Sequence, residues 1–182
     1  MTYSKTAKSA APRRRRGPVR REISAGGVAV RRSGSDWLVA LLQTEHKRGK
    51  VWVLPKGHVE LHNDEKIADA ARREVQEEAG INQLVVKNQL GVTRFTFQAE
   101  TAVVRKTVHY FLMITDQIEL TPQADEGLID AAWFPIDQAI KKLAYDTDQD
   151  IVRRALTWLT RPTASFNRSP QPRRTRQLRI HT

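Results

Sequence analysis

Residues 65–81 read EKIADAARREVQEEAGI, and their periodicity predicts an amphipathic helix. Gly80 is expected to end this helix. The apolar residues recur at steps of four and form one stripe, made of Ile67, Ala71 and Val75. We therefore expect one side of the helix to pack against a sheet and to leave the neighbouring acidic side chains at the edge of a cleft.

Three acidic residues of this helix, Glu74, Glu77 and Glu78, are spaced three and four positions apart. They lie along one helical stripe, where like charges repel each other unless a cation is bound among them. Hard divalent cations such as Mg²⁺ are held by carboxylate oxygens together with substrate phosphates. The pattern predicts a divalent-metal site, and a solvated acidic face is the common alternative.

The helix and the residues before it resemble the Nudix box. Its pattern is Gly, five residues, Glu, seven residues, then Arg-Glu-aliphatic-x-Glu-Glu-x-Gly-aliphatic. From Glu65 through Arg73 to Ile81 the sequence fits every fixed position. Seven residues instead of five separate Gly57 from Glu65, which we interpret as a two-residue insertion in the loop LHND. A pattern with this many fixed positions is far more specific than a lone glycine fingerprint.

The resemblance implies an α/β fold, the Nudix-type α/β/α sandwich with a mixed β-sheet between helices. It also implies hydrolysis of a nucleoside diphosphate linked to another group, with Mg²⁺ as the cofactor and Mn²⁺ as a substitute. Glu77 and Glu78 match the principal metal ligands, and Glu74 matches a further ligand or the base that activates water. All three are the expected catalytic residues, and the backbone carbonyl of Lys56 is an expected additional ligand.

Other motif positions have expected structural roles. Glu65 and Arg73 are expected to pair and to hold the loop against the helix. Because Asp69, Arg73 and Glu77 are spaced by four, an ordinary surface ion-pair ladder is the alternative for the arginine. Glu126, in the segment DEGLIDAAWF, is a candidate late metal ligand or base, and a solvated loop acid is an equal alternative.

The candidate substrate-binding residues flank the box. Lys56 beside the motif glycine is suited to an extra phosphate, although a solvent-exposed loop lysine explains it equally well. Gly57 and His58 are expected to line the site. A later strand carries further candidates for holding phosphate or stacking a base, and one of its two basic side chains is expected to point into solvent. These are Arg105, Lys106 and Tyr110.

The segments WVLPKGHVE and VRKTVHYFLM look closest to the Nudix branch that cleaves dinucleoside polyphosphates and diphosphoinositol polyphosphates. The leading expectation is therefore a small-molecule nucleotide substrate, a diadenosine polyphosphate. Removal of pyrophosphate from RNA 5′ ends and sanitising of oxidised nucleotides are the enzymatic alternatives. A Nudix-fold module that binds a nucleotide without cleaving it is the alternative from another class, and the intact acids of the box argue against it.

The net charge of +11 is concentrated at the two ends of the 182 residues. Residues 1–22 and 161–182 hold 14 of the 31 basic residues and one of the 20 acidic residues. Their composition, rich in Arg, Pro, Ser and Thr, predicts two disordered basic tails around one Nudix domain at residues 23–160. The tails are candidates for nucleic-acid binding, although no aromatic residues are interleaved with their arginines to stack bases.

Two further features concern location. The sequence has no cysteine, which suits a reducing cytoplasm. No apolar run approaches the length of a membrane span, and no apolar segment follows the basic amino terminus as a secretion signal requires. We expect a cytoplasmic protein.

Short apolar runs on either side of the box predict the remaining elements. Strands are expected at 23–32, 37–44, 51–55, 83–98, 101–116 and 131–134, with helices at 136–143 and 148–159. Asn63 or Asp64 is expected to cap the box helix, and Thr147 the last helix.

Overall fold

A mixed sheet lies at the centre of the computed structural model, which describes residues 18–46, 49–123 and 127–161. Within these ranges the strands are β1 Val19–Ser33, β2 Asp36–His46, β3 Gly49–Val53, β4 Lys56–His58, β5 Val85–Gln98, β6 Val103–Ile114 and β7 Leu128–Pro135. The helices are α1 Ile67–Ala79, α2 Ile136–Lys142 and α3 Asp146–Leu159, and a short 3₁₀ turn covers Leu61–Asn63.

Strand β1 organises the sheet, whose order is β3-β2-β1-β6-β5. β1 pairs antiparallel with β2 over one part of its length and with the short β4 over another part. On its other side it runs parallel to β6 from Val19 to Val30. β7 pairs with β2. The sheet is therefore mixed, and the three-residue β4 is held beside the middle of its longest strand.

Helices cover both faces of this sheet. Successive side chains of a strand point to opposite faces, and β1 carries apolar side chains on both of them. Ala25 and Ala29 of β1 belong to the core cluster that includes Val75 of α1. Val28 and Val30 belong to the cluster on the other face, which includes residues of α2 and α3. This arrangement confirms the expected α/β/α sandwich with a mixed sheet.

Several boundaries differ from the sequence expectations. β1 begins at Val19, so residues 19–22 belong to the sheet and not to a tail. Residue Lys66 is at the N-cap of α1 and Tyr145 at the N-cap of α3, and neither side chain makes a capping hydrogen bond. The expected caps at Asn63, Asp64 and Thr147 were therefore wrong. The Asn63 side-chain amide instead donates to the Glu60 carboxylate, 2.7 Å away, within the loop.

The arginine-rich segments at residues 1–17 and 162–182 lie outside the described residues. In the described ranges, no helix combines the length and the apolar character needed to cross a membrane.

Gly80 ends α1 in the left-handed conformation, with φ of 68°. A Cβ at this position would lie 2.7 Å from Thr121 Cβ and 2.8 Å from the Thr121 carbonyl oxygen. We expect Gly80→Ala to lower the free energy of unfolding by at least about 1–2 kcal/mol from backbone strain, with a further loss from crowding. Urea unfolding followed by circular dichroism measures the total loss of unfolding free energy.

Gly34→Ala is the matched control. Gly34 has φ of 60°, and nothing lies within 4 Å of the added Cβ, so this variant carries the backbone strain alone. Equal losses in the two variants would show that the Thr121 contact contributes nothing to ending the helix.

Candidate metal and phosphate site

Arg73 of α1 is the centre of a charged network that joins the helix to the loop before it. Its Nε and Nη2 donate to the two carboxylate oxygens of Glu65, at 2.8 and 3.0 Å. Its Nη1 donates to Glu74 at 2.8 Å and to Glu77 at 2.9 Å. Nη2 also donates to the backbone carbonyl of His58, at 2.9 Å. One planar guanidinium therefore holds β4, the loop and two acids of the box in a fixed arrangement.

Glu65 fastens the loop at its other end. One of its carboxylate oxygens accepts a hydrogen bond from the Glu60 backbone N–H, at 2.9 Å. The bonds from Arg73 lower the pKa of Glu65, against an opposing effect of burial. The intervening residues form the 3₁₀ turn, and Asp64 ends it with φ of 54°. The extra residues of LHND thus project as a turn outside the Arg73–Glu65 pair.

The backbone of β4 presents polar groups to α1. Ladder bonds join β4 to β1 through the Pro55 carbonyl and the Val59 N–H. Since these directions alternate along a strand, the N–H and C=O of Lys56 and His58 point away from β1. The Lys56 N–H accordingly donates to Glu78 Oε2 at 2.7 Å. The Lys56 carbonyl, an expected metal ligand, lies on the same edge of β4.

Gly57 of β4 lies directly against Glu74 of α1. A Cβ here would collide with the carboxyl group of Glu74. Only glycine leaves room for that carboxylate, so Gly57 fills the place of the motif glycine despite the two extra loop residues. Glu74 is 6% exposed and Glu78 is 9% exposed, whereas the side chain of Glu77 is 46% exposed.

The donor set around this contact fits a hard divalent cation. It consists of the carboxylates of Glu74, Glu77 and Glu78 and the carbonyl edge of β4, all of them oxygen donors. Within the residues that the structure describes, no three acidic, histidine or cysteine side chains are grouped as a ready metal cage. Arg73 donates hydrogen bonds to Glu74 and Glu77. Binding of a cation by these two carboxylates would therefore replace their bonds to the arginine.

A second polar cluster lies on the opposite face of the sheet. In the register of β1 and β4, Gly57 is paired with Ala25, whereas His58 is paired with Ser24 and Lys56 with Gly26. The side chains of Lys56 and His58 therefore point to the face of α2 and α3. On this face Glu22 of β1 bonds to His58 Nε2 at 3.3 Å and lies 3.9 Å from Lys106 Nζ.

Lys106 is a largely enclosed cation of this cluster, with 17% of its side chain exposed. Burial and the neighbouring Lys56 lower its pKa, against the opposing charges of Glu22, Glu74 and Glu78. Two lysines close to one another favour binding of a polyanion, because its charge offsets their repulsion.

The structure does not place the remaining predicted residues in either cluster. Arg105 is exposed on the face opposite Lys106, as the strand alternation requires. Tyr110 is 1% exposed, and its hydroxyl donates to Asp148 Oδ1 at 3.2 Å. The expectation that Tyr110 holds phosphate or stacks a base was therefore wrong, because neither its ring nor its hydroxyl is open to a substrate. Helix α3 covers this end of β6, which sequence alternation alone does not reveal. Glu126 lies outside the described residues.

Glu22 was missed at the sequence level because it was assigned to the amino-terminal tail. The signal that it belongs to a strand is the alternation of Glu22 and Ser24 with the apolar Ile23 and Ala25. Its pKa is lowered, since its bonds to His58 and Arg20 outweigh the effect of burial.

Comparison with known proteins gives the class of this fold and site. The model of a family described as NUDIX domain matches residues 20–156. The match covers more than half of the chain, so the chain belongs to the Nudix family. The resemblance seen in the box is thereby confirmed.

Three relatives illustrate the similarity. MutT4 of Mycobacterium tuberculosis (strain CDC 1551 / Oshkosh) is 35% identical over 160 residues, which are 84% of this chain and 62% of the relative. Nudix hydrolase 21, a chloroplastic protein of Arabidopsis thaliana, is 30% identical over 112 residues, 61% of this chain and 53% of the relative. The chain therefore spans less than two thirds of the length of either. The crystal structure of C. elegans Ap4A hydrolase is 26% identical, with a TM-score of 0.57, and the match covers 76% of this chain and 98% of that one.

We expect Arg73→Lys to lower the free energy of unfolding by about 1–2 kcal/mol at pH 7, because an ammonium group cannot form the paired bonds to Glu65. The pKa of Glu65 is lowered in the folded protein, so its contribution is complete above about 4.5 and is lost as pH falls through the lowered value. The difference between wild type and variant should therefore shrink between pH 5 and pH 3. Urea unfolding across this range measures it.

Arg72→Lys is the control, because Arg72 is exposed and its guanidinium approaches only Asp69, at 3.8 Å, among the ion pairs of the described chain. A loss for Arg73→Lys no larger than for Arg72→Lys would contradict the central role of the network.

Proposed function

We propose that this Nudix protein hydrolyses a pyrophosphate linkage in nucleoside polyphosphates, using a divalent metal ion, with diadenosine polyphosphates as the leading substrate class. The observation that carries this proposal is the position of β4 between two charged clusters. Acids for a metal lie on its α1 side, and cations for phosphate lie on the other side. The 26% identity to an Ap4A hydrolase adds support for the substrate class.

Glu74, Glu77 and Glu78 would hold Mg²⁺ or Mn²⁺ together with the Lys56 carbonyl. When bound, such an ion would supply neutralisation of charge on the phosphate oxygens and would favour ionisation of the attacking water. Glu74, the expected base, would receive the proton of that water. The water oxygen forms a bond to phosphorus while the anhydride P–O bond breaks, and the leaving phosphate keeps the electron pair.

The cationic cluster would hold the rest of the polyphosphate chain. Lys56 and Lys106 lie on the same face, and their ammonium groups neutralise phosphates that do not react. His58 forms part of the wall through its bond to Glu22. Arg105 has no part in this arrangement, because its side chain lies on the other face of the sheet.

The alternative substrates are distinguished by a panel of nucleotides with identification of the products. RNA 5′ ends, oxidised nucleoside triphosphates and diadenosine polyphosphates each give different products. Binding without turnover would indicate the non-catalytic module.

Purified protein should cleave diadenosine tetraphosphate only when Mg²⁺ or Mn²⁺ is supplied. Glu77→Gln and Glu78→Gln should each reduce kcat by at least about 100-fold, because an amide removes the charge that binds the cation. Initial rates from chromatography of the nucleotide products measure this effect, and thermal unfolding checks that the variants remain folded.

Asp69→Asn serves as the control, since Asp69 is an exposed acid in the first turn of the same helix. Full activity of both glutamine variants would remove Glu77 and Glu78 from the metal site.

Replacing Lys106 with methionine should raise KM for diadenosine tetraphosphate by about tenfold or more, because a charge-assisted bond to phosphate contributes about 1.5–3 kcal/mol. Arg105→Met removes the adjacent positive charge on the opposite face and should change KM little. Steady-state kinetics at two salt concentrations compare the variants. Equal increases in KM would mean that only the general positive field matters.

A further inference from the structure

Two phenylalanines of the edge strand β5 are unusually open to solvent. Phe95 and Phe97 are each 43% exposed. Their ring centroids lie 6.2 Å apart, and their planes are inclined by 30°. The two rings thus form one aromatic surface. Single exposed apolar residues are normal on proteins, whereas two adjacent exposed rings offer a face on which a planar group can stack.

The pair adjoins the cationic cluster on the same face of the sheet. In the antiparallel register of β5 and β6, Phe95 is directly opposite Lys106, and Phe97 is opposite Val104. Residues directly opposite each other point to the same side. The aromatic surface therefore shares the face of Lys106 and Lys56.

Helix α3 leaves this part of the sheet uncovered. It reaches β5 at Leu90, whose carbonyl accepts a bond from Arg154 Nη1 at 3.3 Å. A Cβ on Gly91 would also meet Arg154 and Ile151 of α3. Phe95 lies four residues further along the strand, about 13 Å away in an extended chain. The same end of the sheet carries Lys106 and Glu22.

We infer that the surface formed by Phe95 and Phe97 is the binding site for a nucleobase of the substrate. This inference rests on the proposed function, and it assigns the recognition of the nucleoside. Lys56 is paired with Gly26, four residues along β1 from the row of Glu22, Lys106 and Phe95. The Cα of Lys56 is therefore about 13 Å along the strands and about 14 Å across them from Phe95, roughly 19 Å in all. A nucleoside joined to a polyphosphate covers this distance, with its phosphates at Lys56 and Lys106 and its base on the phenyl rings.

The chemistry of the surface favours a base over another apolar group. Phenyl rings stack on any base, and an adjacent lysine attracts the phosphates that a base carries with it. An apolar protein partner would have to bury Lys106 and Glu22 beside the rings at a desolvation cost. The rings present no hydrogen-bonding group, so the surface selects for a base without selecting strongly among bases.

The test compares binding of two probes in the presence of Mg²⁺. One probe is a methylene-bridged, non-hydrolysable analogue of diadenosine tetraphosphate, and the other is inorganic tripolyphosphate, which has no base. The double variant Phe95→Leu/Phe97→Leu keeps the apolar bulk and removes the aromatic faces. Phe95→Tyr/Phe97→Tyr keeps the faces, and Val85→Ala controls for loss of an exposed apolar residue at the other end of β5.

Isothermal titration should show that the leucine variant raises Kd for the nucleotide analogue by about tenfold or more and leaves Kd for tripolyphosphate unchanged. The tyrosine variant should bind the analogue as the wild type does. An unchanged Kd for the analogue in the leucine variant would overturn the inference. Equal weakening of both probes would also overturn it, because the pair would then act through the lysines or the fold.

Two outcomes separate this inference from the proposed function. If diadenosine tetraphosphate is not cleaved and the analogue still depends on the aromatic faces, the proposed function fails and the base site stands. If the wild type self-associates in sedimentation, the leucine variant does not, and binding of the analogue is unchanged, the pair is an interface between copies and the base site is wrong.

Discussion

The pairing of Arg73 with Glu65 is the constraint on which the site depends. It joins a loop that contains two extra residues to a helix whose acids must be placed accurately. The guanidinium also bonds to Glu74, Glu77 and the carbonyl of His58, so a single group sets the distance between α1 and β4. Because Arg73 is only partly buried, we attribute to it the geometry of the site more than the stability of the fold.

Strand β4 separates the two halves of the site. Its backbone groups at Lys56 and His58 face the acids of α1, while the side chains of the same residues point to the opposite face. Gly57 makes this possible, since the carboxyl group of Glu74 occupies the space of a Cβ. In the proposed function, this three-residue strand serves a metal site with its backbone and a phosphate site with its side chains.

On the face of the sheet opposite α1, helix α3 determines which side chains are buried and which are open. Tyr110 and Lys106 lie on the same side of β6, yet α3 buries the tyrosine against Asp148 and leaves the lysine beside Glu22. Burial raises the pKa of Asp148, although its bond to Tyr110 opposes this effect. The same limit of α3 leaves Phe95 and Phe97 open. A polar cluster and an aromatic surface thus lie side by side where the helical layer ends.

The amino-acid sequence was enough to place the box helix and the order of its acids, because these follow from spacings of three and four residues within one element. It also indicated the Arg73–Glu65 pair and most of the strands. Which side chains share a surface depends on how the strands pair and on what the helices cover. Residues distant in sequence, such as Glu22 and Lys106, meet through the parallel register of β1 and β6. Sequence periodicity gives the two faces of a strand but not which neighbour covers each face. For this reason the burial of Tyr110, the contact of Glu22 with Lys106 and the open surface of the phenylalanine pair are visible only in the fold.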